Sequence, residues 1–199
     1  MVRAYVASAK AKARDDISAH SEGRSPALGQ PPGAWRSAVD SRRVSIFSIT
    51  DALAYGMIER QWGRIITIGS SGIERPIAGF ALSKAVRAAD AGRSKTLSTE
   101  LAPHGVTVNM ILLCRSDTDR VRVLDDIRAR NAALELAAVL EASRGDIPGG
   151  RYGCAEEFAA AAIFLASQQA SYITGSMVAL SAACDAAARL SPSCAISRP

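Results

Sequence analysis

A chain of 199 residues with 48% apolar and 22% charged side chains has room for one domain with a real core, as an ordinary soluble globular protein does. The formal net charge of +5 is modest, and its arginines (Arg36, Arg42, Arg43, Arg87, Arg93, Arg120, Arg122, Arg128, Arg130) are scattered rather than gathered with aromatics into a stripe. That distribution argues against nucleic-acid binding. Aromatics are scarce at 5% and alanine is abundant, so the core should be helix-rich with close packing of small residues. The four cysteines, Cys114, Cys154, Cys184 and Cys194, form no C-x-x-C pair and have only His20 and His104 beside them. They read as reduced thiols of a cytoplasmic protein rather than as a zinc site or a disulfide framework, and no metal is expected. The start, MVRAYVASAKAKARDD, has no apolar core, and no run approaches membrane-spanning length, so no membrane contact is expected.

Residues 1–34 form an atypical first segment. Val2–Ala7 alternates loosely, which suits a strand, Ser8–His20 suits a short charged helix, and the Gly-, Pro- and Ser-rich Ser21–Gly33 reads as a loop. Trp35 to Gln61 reads as one long amphipathic helix, with Trp35, Val39, Ile46, Ile49, Leu53 and Met57 approximating a stripe and Trp62-Gly63 ending it. Arg64–Ile68 is a short β-branched run, suited to a buried strand, that stops at Gly69-Ser70-Ser71-Gly72. A turn with Pro76 and Gly79 leads into a helix over 80–102, on which Phe80 and Lys84 are four apart and share a face. In an open α/β sheet, ligands sit beyond the carboxyl ends of the strands, where these serines and Lys84 would meet.

Further along, Val106–Leu113 (VTVNMILL) is a second buried strand and Asp119–Arg144 a charged helical region. A loop at 147–153, a helix over 155–167 and a last strand at Met177–Leu180 follow, and Cys184–Pro199 is expected to be a mobile tail. Ala81, Ala85, Ala88, Ala89 and Gly92 make a small-residue face on helix 80–102, open to packing either on its own sheet or on a second helix pair.

From Gly63 to Arg87 the chain resembles the short-chain dehydrogenase/reductase family, especially its 3-oxoacyl-thioester reductase branch. Ser70 matches the family's strand-end serine, which orients the substrate carbonyl, and Lys84 matches its lysine, which lowers the pKa of a catalytic tyrosine and holds the nicotinamide ribose. The tyrosine position holds Phe80, whose phenyl ring has no ionisable proton. Arg42, seven residues after Trp35, occupies the position of the family's relay asparagine and cannot accept a hydrogen bond as an amide does. Val108-Asn109 to Thr118 resembles V-N-x-I-x-P-G-x-x-x-T with Leu113-Cys114 in place of Pro-Gly. Thr118 keeps the place that contacts the nicotinamide amide, and an N-cap for the helix from Asp119 is the competing reading. Ile147–Gly153, Phe164–Ser167 and Tyr172–Gly175 also follow the family.

The resemblance implies an α/β, Rossmann-like parallel sheet with flanking helices that lacks the first strands of the doubly wound sheet. Residues 35–183 form the family-like part and 184–199 a tail. It further implies an NAD- or NADP-dependent carbonyl/alcohol oxidoreductase acting on a small carbonyl or alcohol substrate. The family's G-x-x-x-G-x-G turn is not among the 199 residues, so the chain as it stands is expected to be impaired. The alternative is a non-catalytic interaction module pairing as a homo-oligomer through helices 35–61 and 80–102. A serine hydrolase around Ser71 is disfavoured, because Ile73 stands where G-x-S-x-G needs its last glycine. The edge left bare beside strand 64–68 should be covered by residues 1–8 or by a partner chain.

Overall fold

The computed structural model describes residues 5–7, 25–74 and 79–182, with the side chains of residues 5–7, 41, 42 and 120 outside the description. A parallel sheet of four strands runs in the order β1 (Tyr5–Ala7), β2 (Gly63–Ser70), β3 (Val106–Leu113), β4 (Met177–Leu180). β2 and β3 pair along their whole length, from Gly63 opposite Val106 to Ser70 opposite Leu113. Both are apolar runs buried on two faces, as central parallel strands are. β4 pairs only with the carboxyl half of β3, Met110 to Leu113. β1 lies against Ile65–Thr67, so the edge of β2 is covered from within the chain, by the segment the sequence nominated.

Alternation along β2 assigns each side chain to a face. Ile65 points into a core with Ala54, Met57, Leu101, Val106 and Val108, built on α2 (Ser45–Glu59) and α3 (Ala81–Leu101). Ile66 points the other way, to Ile111, Ala162, Leu165 and Ala170, built on α6 (Ala155–Ala166). Helices therefore cover both faces of a parallel sheet, which is the α/β class expected.

The long helix expected over 35–61 is corrected in its detail. It begins as α1 (Pro32–Val39), widens into a π-helical segment over Asp40–Val44, and continues as α2. Helix 80–102 is α3, and its buried side is Leu82, Val86, Asp90, Ser94, Ser98 and Leu101. The small residues Ala85, Ala88, Ala89 and Gly92 are exposed, so they do not pack on the chain's own sheet. Between α3 and β3 the chain turns at Gly105, whose φ is +67° and where a Cβ would lie 2.5 Å from the Gln61 carbonyl oxygen. Only glycine fits there.

Asn109 in β3, 1% exposed, locks the approach to β4. Its amide donates to the Ile173 carbonyl at 2.7 Å and accepts from the Ser176 N–H at 3.0 Å.

The chain divides into two compact units, Met1–Cys114 with Glu156–Leu180, and Arg115–Ala155 with Ser181–Pro199. The second contains α4 (Asp119–Ala132) and α5 (Leu136–Gly145), separated at Ala133, whose φ is 50°. Asp125, 1% exposed, ties this unit together by accepting from the Tyr152 hydroxyl at 2.7 Å. The expectation of reduced cysteines is corrected for Cys114, which is disulfide-bonded, while Cys154 is exposed. Spacing along the chain does not report which thiols meet in space. The expected tail 184–199 and helix 8–20 lie outside the described residues.

Candidate active site

β2 delivers Ser70 at its carboxyl end in an extended conformation (φ −142°, ψ 143°), and the chain then closes into a single 3-10 turn over Ser71–Ile73. The turn is held by the Gly72 N–H, which donates to the Ser70 Oγ at 3.3 Å. That bond uses the oxygen as an acceptor and leaves the hydroxyl proton available to a ligand. At the preceding residue, Gly69, the packing leaves no room for a side chain: a Cβ there would come within 2.9 Å of Leu112 and 3.0 Å of the Met110 sulfur.

Phe80 is the N-cap residue of α3 and is 39% exposed. Its backbone is fixed from both sides by Ser25, whose N–H donates to the Gly79 carbonyl at 2.8 Å and whose carbonyl accepts from Ala81 at 2.9 Å. The loop predicted over 21–33 thus has a part in shaping the site that its composition did not announce. One turn into α3, the Lys84 side chain lies directly across Gly72. A Cβ on Gly72 would sit 1.5 Å from the ammonium nitrogen and 2.4 Å from Cε, so the lysine occupies the space that a side chain would fill. Ser70 and Lys84 thus each border Gly72, and Phe80 stands one turn before the lysine.

Lys84 is half-buried, and no carboxylate or hydrogen-bond acceptor holds its ammonium group among the described residues. Burial lowers its pKa from the ordinary lysine value, and the Arg87 guanidinium one turn further on lowers it again. Arg87 itself is fastened to the Ser83 hydroxyl. No group of three or more His, Cys, Asp or Glu side chains suited to a metal occurs among the described residues.

Arg42 falls on the π-helical segment, with its side chain outside the description. Its neighbour Arg43 turns inward instead, donating from Nε to the Val86 carbonyl at 2.9 Å and pairing with the Asp90 Oδ2 at 3.0 Å. Asp90 is 3% exposed, and its other oxygen has no partner among the described residues. Burial raises its pKa to about 6 against the opposing pull of Arg43, Arg87 and Arg93. Sequence reading placed Asp90 nowhere; its four-residue spacing from Val86 and Ser94 on the buried side was the available signal. Arg93 pairs with Asp51 and lies over the Phe47 ring, 4.5 Å from its centroid.

In the second unit, Thr118 caps α4, accepting from the Val121 N–H at 3.4 Å, which favours the N-cap reading for this residue. Beside it Asp117 accepts both arms of Arg122, at 2.9 and 3.0 Å, and that bond holds its carboxyl below the usual carboxylate range. A cavity of about 600 Å3 in this unit is lined by Asp117, Arg122, Leu136, Leu140, Arg144 and Tyr152, among others. Neither Ser70 nor Lys84 lines it.

With this geometry in place, the likeness to known proteins is specific. The family model described as enoyl-(acyl carrier protein) reductase matches residues 2–182. The 3-oxoacyl-[acyl-carrier-protein] reductase FabG of Salmonella typhimurium is 39% identical over 142 residues, which is 71% of this chain and 53% of that protein. The acetoacetyl-CoA reductase of Shinella zoogloeoides is 32% identical over 147 residues, covering 74% and 57%. Among solved structures, YwfH, an NADPH dependent reductase involved in bacilysin biosynthesis, superposes with a TM-score of 0.74 at 28% identity, covering 81% of this chain and 63% of that one. The chain thus spans about half the length of the curated relatives it matches.

Proposed function

The chain belongs to the short-chain dehydrogenase/reductase family, in its 3-oxoacyl reductase type, and from that premise we propose that it carries the carbonyl-holding part of an NAD(P)-dependent oxidoreductase whose hydride transfer is impaired in these 199 residues alone. One observation supports the reading: Gly72, beyond the carboxyl end of β2, is bonded through its N–H to the Ser70 Oγ and is covered by the Lys84 side chain, with a phenyl ring at Phe80 where the chemistry calls for an acid. Ser70 has a hydroxyl proton to donate to a carbonyl oxygen. Phe80 can neither give nor take a proton.

Toward a dinucleotide, the residues fit the nicotinamide end only. Lys84 is near the strand end, while the Thr118 oxygen is engaged as a helix cap. No G-x-x-x-G-x-G turn occurs in the chain to set backbone N–H groups against a pyrophosphate. The bound cofactor supplies the hydride in this family, and that step lies beyond what these side chains do themselves. The substrate suggested by the relatives is a 3-oxoacyl thioester.

Calorimetric titration of the purified chain with NADPH and with NADH tests the reading. No binding tighter than about 100 µM, roughly −5.5 kcal/mol, is expected. Tighter binding together with acetoacetyl-CoA reduction would remove the impairment from the proposal.

A second reading, a self-pairing interaction module, is favoured by one feature. Val44, Ile49 and Leu53 are 50%, 46% and 37% exposed on the helix beside the outward small face of α3. Pairing through 35–61 and 80–102 would cover both. Sedimentation at micromolar concentration decides, with a stable monomer counting against it.

A further inference from the structure

In the family arrangement the lysine serves a tyrosine. Here the tyrosine position is Phe80, and Lys84 is left without a hydrogen-bond acceptor or carboxylate among the described residues. It is nevertheless placed with some care: half-buried and laid over Gly72, whose missing Cβ makes room for it and whose N–H is bonded to the Ser70 oxygen, leaving that hydroxyl's proton to a ligand. An amine that is desolvated, stands next to a second cation and lacks a counter-ion is an activated nucleophile for carbonyl compounds. We propose that Lys84 is such a nucleophile and condenses with small aldehydes and ketones held at the carboxyl end of β2, forming an imine at its Nζ.

The reaction balances without oxidant or reductant. The Nζ lone pair attacks the carbonyl carbon, the C–N bond forms, and the π pair moves to the oxygen, toward which Ser70 donates its proton in a hydrogen bond. The carbinolamine then takes up a proton on oxygen and gives up one from nitrogen. One water leaves as the C–O bond breaks, and the imine remains on Nζ. Burial and Arg87 both hold Lys84 toward the neutral amine that the first step needs. The proposal rests on the same reading of Ser70 as carbonyl donor, but it needs no nucleotide.

That independence sets the experiment. The full chain is exposed briefly to butanal with sodium cyanoborohydride, without nucleotide, and butyl incorporation is followed site by site by peptide mass spectrometry. Lys95, exposed on the same helix, is the internal reference. Lys84 should be modified roughly tenfold faster than Lys95. Gly72→Ala should bring the two rates together. Its Cβ would collide only with the far end of a flexible side chain, so the fold accommodates it and the amine is expelled. Ser70→Ala, which leaves the lysine in place, should slow Lys84 several-fold and leave Lys95 unchanged. Equal labelling of the two lysines in the wild-type chain, or a Lys84 rate unmoved by both variants, overturns the proposal. If labelling is equal while the chain reduces acetoacetyl-CoA with NADPH, the imine fails and the reductase reading stands. Selective labelling without nucleotide binding leaves the imine standing alone.

Discussion

The buried pair between Arg43 and Asp90 should make this chain more stable in weak acid than at neutrality. Asp90 titrates at about 6 in the fold against an ordinary 3.8, with burial as the first cause and three arginines opposing it. Between those two values the folded chain still holds a proton that the unfolded chain has released. Stability contributed by this group is therefore full below the lower value and falls as pH rises to the upper one. At about 1.4 kcal/mol per pH unit, the loss is about 3 kcal/mol between pH 4 and pH 7. Urea unfolding at intervals across that range measures it, with other carboxylates contributing a background slope. A reference chain removes the background: Arg43→Met with Asp90→Leu replaces the pair by apolar groups of similar bulk, which at neutral pH is often neutral or stabilising by about 1–4 kcal/mol. The difference between the two chains should shift by about 3 kcal/mol over the range, in favour of the double variant as pH rises. Arg43→Met alone should be the damaging change, costing about 3–5 kcal/mol at pH 7 by leaving a buried carboxylate unpaired. Identical pH slopes in wild type and double variant would refute the assignment of the raised pKa to Asp90.

Three further outcomes follow from individual contacts. Asn109→Leu leaves the Ile173 carbonyl and the Ser176 N–H without partners and should cost about 2–4 kcal/mol in urea unfolding; a loss under about 1 kcal/mol would show that the approach to β4 is held otherwise. Gly105→Ala meets both a φ of +67° and the Gln61 carbonyl at 2.5 Å, and should cost about 2–3 kcal/mol; Gly92→Ala, with nothing within 4 Å, should instead stabilise by about 0.5–1 kcal/mol. Phe80→Tyr by itself should give no acetoacetyl-CoA-dependent oxidation of NADPH, because a proton donor worth about 100- to 10,000-fold accelerates only reactants already in place; turnover above the unmodified chain would contradict the proposed second lesion at the cofactor turn.

Much of the first unit was legible because its signals are local. The β-branched run Arg64–Ile68 and VTVNMILL became β2 and β3, and the helices over 80–102 and 155–167 came within two residues of their ends. The positions of Ser70 at the strand end and Lys84 one turn into the next helix were legible for the same reason, since a strand, a turn and a helix follow one another there. What failed was whatever depends on distant contacts or on helix register. Ser25 reaches the site only through a bridge to Phe80. Arg64, inside the strand expected to be buried, is 2% exposed, but its partners, the Gly63 carbonyl at 2.8 Å and the Ser167 carbonyl at 3.2 Å, are not readable from the run itself. The amphipathic stripe drawn from Trp35 assumed a constant turn, and the π-helical segment over Asp40–Val44 breaks that phase.

The case of α3 shows why hydrophobicity alone left its packing face open. Its buried side carries Asp90, Ser94 and Ser98, while its alanines point out. A buried polar stripe is tolerated only where partners reach it, and Arg43 supplies one from the phase-shifted turn. The same helix then carries Lys84, Arg87, Asp90 and Arg93 at intervals of three residues. Arg87 acts in both directions, lowering the pKa of Lys84 toward the strand end and that of Asp90 toward the interior. Asp90 is not among the influences on Lys84, so the buried acid compensates Arg43 and leaves the site's amine uncompensated. In a chain with a tyrosine at position 80, such an amine would have a phenolate to stabilise. With Phe80 in its place there is no phenol for Lys84 to act on, and Arg87 still lowers the pKa of the amine itself.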